Sequence, residues 1–434
     1  MPSSTSKDDR ILILGGGAFG LATAYSLAFA GYTSVTVLDK HDDLPSRFSA
    51  GFDLNKIIRA EYLDPFYTKL ALDAIRKWQT DPLYKSHYRE VGYLNVVSGS
   101  APPVIRDALH KYASSIEKVP AFSGKITMVD GSVSIRAIEP RFSGTVDGWK
   151  GYLNRLAGYA HSANAMEAVY RACMAKGVVF HLGSFVGEVQ NLVHSPGSHG
   201  KVTGCRTRGG IIYEGDLIIV ALGANVAQIL PSISSQVTAS CWGVTHIQLS
   251  PDEATKLEGI PVTNVRDIGF FFEPDPATNK LKLCHMGGGY TNYGNTPPGQ
   301  SVSLPYQTLE ESKFIPDEDE RQIRRLLREA LPELADRPLI DNHLCWFADT
   351  PDSDYIIDFV PDTGKSLVVL SGDAGHGFKM LPIFGDFVRG LLEAGEQRIQ
   401  KWKWKIPQQQ NGIAQQVAWR ASKSRELGAI QSRL

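Results

Sequence analysis

Residues 10–20 read Arg10-Ile-Leu-Ile-Leu14-Gly15-Gly16-Gly17-Ala18-Phe19-Gly20, and this stretch decides the fold. Its aliphatic run is of the kind that makes a short strand buried on both faces. The glycines fit G-x-G-x-x-G, and Ala18 to Ala30 continues in small and apolar residues suited to a buried helix. In that setting Gly15 permits the turn, Gly17 lets backbone approach a pyrophosphate, and Gly20 lets helix pack close on strand. Ala18 and Phe19 open the helix whose amides face the phosphates. Ser34-Val-Thr-Val-Leu38 makes a second strand. Asp39 at its end is placed to accept hydrogen bonds from a ribose diol, and Lys40 beside it is counted with the same site. The β-α-β unit predicts dinucleotide binding.

Farther along, Asp216-Leu-Ile-Ile-Val-Ala221 and Ser366-Leu-Val-Val-Leu370 are two more strands of the buried parallel type, each soon followed by glycine. The stretches between them differ in character. Gly92-Tyr-Leu-Asn-Val-Val97, His246-Ile-Gln-Leu249 and Gly269-Phe-Phe-Phe272 alternate or are aromatic, and they predict an antiparallel sheet. The expected architecture is therefore α/β joined to α+β. A Rossmann-type domain is assembled from residues 1–85, 150–235 and 340–400, a substrate domain from 86–149 and 236–339 is inserted in it twice, and 401–434 form a tail. Asp317 to Leu331 predicts an amphipathic surface helix. An NAD dehydrogenase would continue after Asp39 with further regular β-α-β units. Here regularity breaks into Ser49-Ala-Gly-Phe-Asp-Leu-Asn-Lys56 before the nucleotide domain resumes, which is the habit of flavin enzymes and favours FAD.

A chain of 434 residues exceeds what one core usually serves, in keeping with two domains. Lys+Arg 45 against Asp+Glu 46 leaves a net charge of −1, so no nucleic-acid partner is expected. The start Met1-Pro-Ser-Ser-Thr-Ser-Lys lacks the apolar core of a secretory signal, and no apolar run is long enough to span a bilayer. Five cysteines, odd in number and without a CxxC pair, predict neither a disulfide framework nor a metal site. Ser432-Arg433-Leu434 fits the loose pattern read by the peroxisomal import receptor, so peroxisomal location is expected, with a cytoplasmic one as alternative.

Two later blocks are more specific: Cys345-Trp-Phe-Ala-Asp-Thr-Pro-Asp-Ser-Asp-Tyr-Ile-Ile-Asp358 and Gly372-Asp-Ala-Gly-His-Gly-Phe-Lys379. With the glycine fingerprint and Ser49 to Arg59, they make the chain resemble, over roughly residues 9–400, the amine oxidases that include monomeric sarcosine oxidase, L-pipecolate and L-saccharopine oxidases, and fructosyl amino acid oxidases (amadoriases). The resemblance implies a two-domain architecture shared with D-amino-acid and glucose-methanol-choline oxidases, and a monomer. It also implies FAD attached through a thioether at Cys345, with Ser49, Lys56, Gly375, Gly377, Phe378 and Lys379 around it. Lys379 and Arg59 are implied to clamp the substrate carboxylate, Lys282 to assist oxygen reduction over the flavin, and His285 to serve as a base or polar contact. The blander readings are a cysteine buried as a small hydrophobe, Arg59 paired with Glu61 on the surface, solvated Lys379 and Lys282, and a structural His285.

The implied reaction is oxidation of a secondary amine on a small amino acid. Hydride passes to flavin N5, an imine is released, and oxygen becomes hydrogen peroxide. L-Pipecolate, L-saccharopine or an N-alkyl or N-methyl amino acid ranks first. In amadoriases an acidic pair is expected directly after Lys-x-Cys, where this chain has His285-Met286. Fructosyl amino acids therefore rank second. An N-methylated aromatic amino acid whose imine cyclises is a third reading. A nicotinamide dehydrogenase and a non-catalytic flavin-binding protein are the rivals from other classes.

Overall fold

The computed structural model describes residues 5–146, 148–197, 200–296, 300–405 and 424–431. The strand Ile11–Leu14 lies inside a six-stranded sheet whose order is Ile356–Phe359, Leu367–Ser371, Leu217–Val220, Ile11–Leu14, Val35–Asp39, Val179–Leu182. Every neighbouring pair is parallel except the edge pair Ile356–Phe359 with Leu367–Ser371. Strand alternation divides the first strand between two cores. Ile11 and Ile13 pack with the helices Ala18–Phe29, Ser162–Ala175 and Leu381–Ala394, whereas Leu12 and Leu14 pack with Val202 and Cys205 of a three-stranded sheet on the other face. Burial on both faces is why the run carries no polar residue. Residue Gly385 lets the helix Leu381–Ala394 approach Ala18–Phe29, because a Cβ there would stand 2.0 Å from the Ala22 carbonyl oxygen.

The second layer is a ten-stranded sheet. Its path runs Arg425–Glu426, Tyr290–Thr291, Thr238–Gln248, Lys280–His285, Gly269–Phe271, Val262–Val265, Tyr93–Val97, Lys150–Asn154, Ile126–Asp130, and Ile340–Asp349 also pairs with Thr238–Gln248. The expectation of an antiparallel sheet needs correction, because Val262–Val265 and Tyr93–Val97 run parallel. These strands come from the two separate insertions, so no hairpin forces them to oppose. Two expected boundaries also move. Lys150–Asn154 and Ile340–Asp349 belong to this sheet, and the nucleotide sheet resumes only at Val179–Leu182 and Ile356–Phe359.

The helix Asp317–Ala330 forms where its periodicity predicts. Asp317, Glu318, Asp319 and Glu320 complement the positive end of its dipole, while Ile323, Leu326, Leu327 and Ala330 bury against the large sheet. Part of the expected tail is not a tail: Arg425–Glu426 adds a parallel pair to Tyr290–Thr291, and Leu427 is fully buried beside Trp346. Ser432-Arg433-Leu434 lies outside the described residues. Among the described residues no helix is long and apolar enough to cross a membrane.

Candidate active site

The glycine turn is sterically required. Gly15 has φ +108°, and a Cβ on it would meet the Ala221 carbonyl oxygen at 2.5 Å; one on Gly20 would meet the Gly15 oxygen at 1.9 Å. Gly17 begins the helix Ala18–Phe29 without any side-chain cap, so the first-turn amides are left to the cleft. Asp39 holds this turn, its Oδ2 accepting from Gly16 N at 2.9 Å and its Oδ1 from His41 N at 3.0 Å. Lys40 lies 3.8 Å from the Phe48 ring centroid, and burial lowers its pKa.

Gly15, Gly17, Ala18, Phe19, Asp39, Lys40 and Ser49 line the cleft, together with Lys56, Cys345, Gly375, Gly377 and Phe378. Gly20 lies on the buried side of the helix Ala18–Phe29, against the Gly15 turn, and not in the lining of the cleft. Asn225 Oδ1 and Trp346 Nε1 also belong to the cleft and are buried without a hydrogen-bond partner among the described residues. Open amides, a carboxylate at the strand end and two orphaned polar atoms fit a dinucleotide such as FAD.

The cleft leads into an inner cavity of about 210 Å³, with Lys56, Cys345, Phe347, Gly375 and Phe378 common to both walls. Arg59, Lys282, His285 and Lys379, far apart in sequence, all line this cavity. Strand alternation explains one placement: Leu281 and Leu283 fill the core under the large sheet, which turns Lys282 and Cys284 toward the cavity. The short strand Lys56–Ile58, paired with Gly158–Ala160, brings Lys56 and then Arg59 to the same place.

Lys282 is buried and bonded to Asp53, and it donates to the Asn55 carbonyl at 2.8 Å. Lys56 donates to the same Asp53 oxygen at 2.8 Å. Burial alone would push the Asp53 carboxyl up, but the two ammonium groups hold it well below the usual carboxylate range. Lys56 Nζ stands 3.6 Å from Cys345 Sγ, so this thiol is not simply packed among hydrocarbons. Residue Lys282 is neither exposed nor solvated.

Lys379, which also lines the cavity, donates from Nζ to the His376 carbonyl at 3.2 Å. Burial, and then the Arg59 guanidinium, lower its pKa well below the ordinary lysine value. Arg59 donates to the Glu61 carbonyl oxygen and faces the rings of Tyr62, Tyr93 and Tyr112. Glu61 is fully buried, so an exposed Arg59–Glu61 pair is not what forms. Its Oε2 accepts from Ala60 N at 3.1 Å, while Oε1 has no hydrogen-bond partner among the described residues.

His285 Nδ1 lies 2.5 Å from the Ile268 carbonyl oxygen, which places a proton there and leaves Nε2 as the acceptor. His376 is different. Burial and Lys379 push it down to about 3, its Nε2–H donates to Ser353 O at 2.9 Å, and its Nδ1 accepts from the Tyr355 hydroxyl at 3.0 Å. It is a neutral support for the backbone that carries Lys379. Asp53, Glu61, His376 and Arg266 escape sequence reading. Asp53 had a signal, three residues before Lys56; Arg266, in Asn264-Val-Arg266, had none.

A dinucleotide cleft opening onto a buried, cation-lined cavity defines an oxidoreductase that binds its redox cofactor beside its substrate. Residues 10–391 match the family model described as FAD dependent oxidoreductase, and the chain belongs to that family. It is 33% identical to the L-saccharopine oxidase of Schizosaccharomyces pombe over 430 residues, 95% of this chain and 96% of that one. It is 22% identical to the monomeric sarcosine oxidase of an Arthrobacter species over 405 residues, 91% of this chain and 94% of that one. The crystal structure of the fructosamine oxidase Amadoriase II of Aspergillus fumigatus superposes with a TM-score of 0.85 at 32% identity, covering 98% of this chain and 97% of that one.

Proposed function

We propose that the protein is an FAD-dependent oxidase of secondary-amine amino acids, with L-pipecolate, L-saccharopine and N-alkyl amino acids as the first substrates to test. The observation that carries this is the pairing of Arg59 with Lys379 in one buried cavity. Burial and the Arg59 guanidinium lower the Lys379 pKa in the free protein, and a carboxylate bound between the two cations makes charge-assisted hydrogen bonds. Clamping that carboxylate orients the adjoining carbon–nitrogen bond toward the wall shared with the cleft. There the flavin, when bound, accepts hydride and passes electrons to oxygen. His285 Nε2 offers an acceptor to the amine, which must be unprotonated to react. Lys282 presents a buried positive charge where negative charge develops on oxygen.

A second reading, oxidation of a fructosyl amino acid, is favoured by the likeness to Amadoriase II. Against it, His285 and Met286 line the cavity where an acidic pair is expected of that activity. Oxygen uptake across L-pipecolate, L-saccharopine, N-methyl amino acids, fructosyl-glycine and fructosyl-valine separates the two. Fastest turnover of the fructosyl compounds would reject the first reading.

The flavin is proposed to be held covalently through Cys345, whose Sγ is at the junction of cleft and cavity. Acid-precipitated protein is then expected to stay yellow, and Cys345→Ser to release its flavin on precipitation. Free flavin from the wild type would overturn the attachment. The chain is further proposed to act in the peroxisome, where its peroxide would be contained. An amino-terminal fluorescent fusion should be punctate and should become diffuse when Ser432-Arg433-Leu434 is deleted; a fusion already diffuse with the tail intact rejects the address.

A further inference from the structure

We propose that His246, in an outer pocket behind the Asp53–Lys282 ion pair, relays from solvent the proton that peroxide formation consumes. This rests on the proposed function, in which Lys282 is the charge that meets oxygen, and adds to it the way that lysine recovers a proton. Reducing O2 to H2O2 takes two electrons and two protons. Hydride from the substrate carbon brings both electrons and one proton, so the second proton comes from water. An inner cavity of about 210 Å³ that holds substrate or imine has little room for that water.

The outer pocket does have room. It encloses about 800 Å³ and reaches the surface at Arg47, Phe52, Lys313 and Asp341, all exposed. Asp53 and His246 are buried in its lining. Lys282, bonded to Asp53, lines the inner cavity instead, so the ion pair stands between the two spaces. His246 and Lys282 are register partners across the strands Thr238–Gln248 and Lys280–His285. Partners in an antiparallel pair share a face, with Cβ atoms about 5 Å apart, and the next pair, Ile247 with Leu281, is turned the other way into the core.

Two observations single out His246. Only 5% of it reaches solvent, yet neither Nδ1 nor Nε2 has a hydrogen-bond partner among the described residues. A neutral imidazole has one donor and one acceptor to satisfy, and water drawn from the pocket satisfies both. The second observation is the route outward. The His343 ring lies 6.1 Å from that of His246, lines the same pocket, and bonds through Nδ1 to Asp341 O at 2.8 Å, at the rim. The charged and titratable groups facing His246 are Asp53, Lys282, His343 and Asp341; burial above all, with Lys282 and His343 acting against the two carboxylates, holds it down to about 4. It is therefore neutral near pH 7 and takes a proton at one nitrogen as it releases one from the other. In the step itself Lys282 gives an ammonium proton to the reduced oxygen, which leaves as H2O2, and the amine so formed is reprotonated from His246 through water.

The test follows reoxidation by oxygen of the flavin-loaded enzyme after photochemical reduction, so that no substrate is needed. His246→Ala is expected to slow it roughly 10²-fold, the lower end of what a positioned proton-transfer group contributes. Anaerobic reduction by a secondary amine should change far less. Imidazole should restore the rate, whereas pyrrole, of the same size but without a basic nitrogen, should not. His246→Gln keeps volume and hydrogen bonding without relaying; it should stay slow, and it carries the rate comparison if the alanine variant does not fold. Unslowed reoxidation, restoration by pyrrole as good as by imidazole, or restoration by neither overturns the relay. Calorimetry supplies a readout without turnover: imidazole should bind the oxidised His246→Ala protein and not the wild type, and failure to bind the variant overturns the opening to the pocket. If no secondary amine is oxidised, the proposed function fails while the photoreduced enzyme still reads His246.

Discussion

Lys379→Met is expected to raise KM for the true substrate by about a hundredfold or more while leaving the protein folded. The two halves of this expectation have different causes. In the free protein the Lys379 ammonium is held in a place that disfavours its charge, buried and beside Arg59, with a 3.2 Å bond to the His376 carbonyl. Methionine occupies similar volume without that charge, so the cavity loses repulsion and little else. With substrate present the balance reverses, because removing one partner of a buried carboxylate–cation contact costs ~2–5 kcal/mol, tenfold in affinity for each ~1.4 kcal/mol. An amine without the carboxylate should be insensitive to the change. The wild-type enzyme should also bind carboxylate substrates less well as pH rises through the lowered Lys379 pKa, since the protonated form makes the contact. Arg59 keeps its charge, His376 is already neutral and Tyr62 is raised, so the alkaline limb belongs to Lys379 and should vanish in the variant. A KM unchanged by the substitution would remove this residue from the substrate site.

Lys282→Met is expected to slow reoxidation by oxygen by roughly 10²–10³-fold, the usual effect of deleting one preorganised electrostatic group. Anaerobic reduction by substrate should change far less, because charge on oxygen develops only in the second half of the cycle. The variant should fold, since Asp53 retains its 2.8 Å bond from Lys56 and accepts from Leu54 N at 2.8 Å. The opposite substitution, Asp53→Ala, would strand the buried Lys282 and the partly buried Lys56 and is the more damaging of the pair. Stopped-flow traces with unaltered reoxidation would place the oxygen-reacting charge elsewhere.

Local chemistry made much of this molecule legible in its sequence. The fingerprint at Gly15 to Gly20 is readable because each glycine answers a short-range steric demand, and Lys282 and Cys345 are readable because short motifs surround them. Pairing across insertions was not. Nothing local announces that Tyr93–Val97 runs parallel to Val262–Val265, or that Val179–Leu182, a half-exposed edge strand, extends the nucleotide sheet. Residue Arg266 is silent for the same reason: its neighbours in sequence are ordinary strand residues, and its cavity-facing position exists only after distant strands assemble. Glu61 and Asp53 look like surface acids until burial is known, because a carboxylate's environment is a tertiary property.

The neighbours of the first strand have a consequence for biosynthesis. Ile11–Leu14 is made well before its partner Leu217–Val220, and that strand well before the next, Leu367–Ser371. At roughly 5–20 residues per second, a ribosome needs on the order of 10–40 s to travel from the first strand to Leu217–Val220. Throughout that interval the aliphatic edge of the first β-α-β unit lacks a lasting neighbour and is a natural client for chaperones. Gly375, Gly377 and Lys379 emerge later still, so the linings of the cleft and the inner cavity are complete only after these strands have been made.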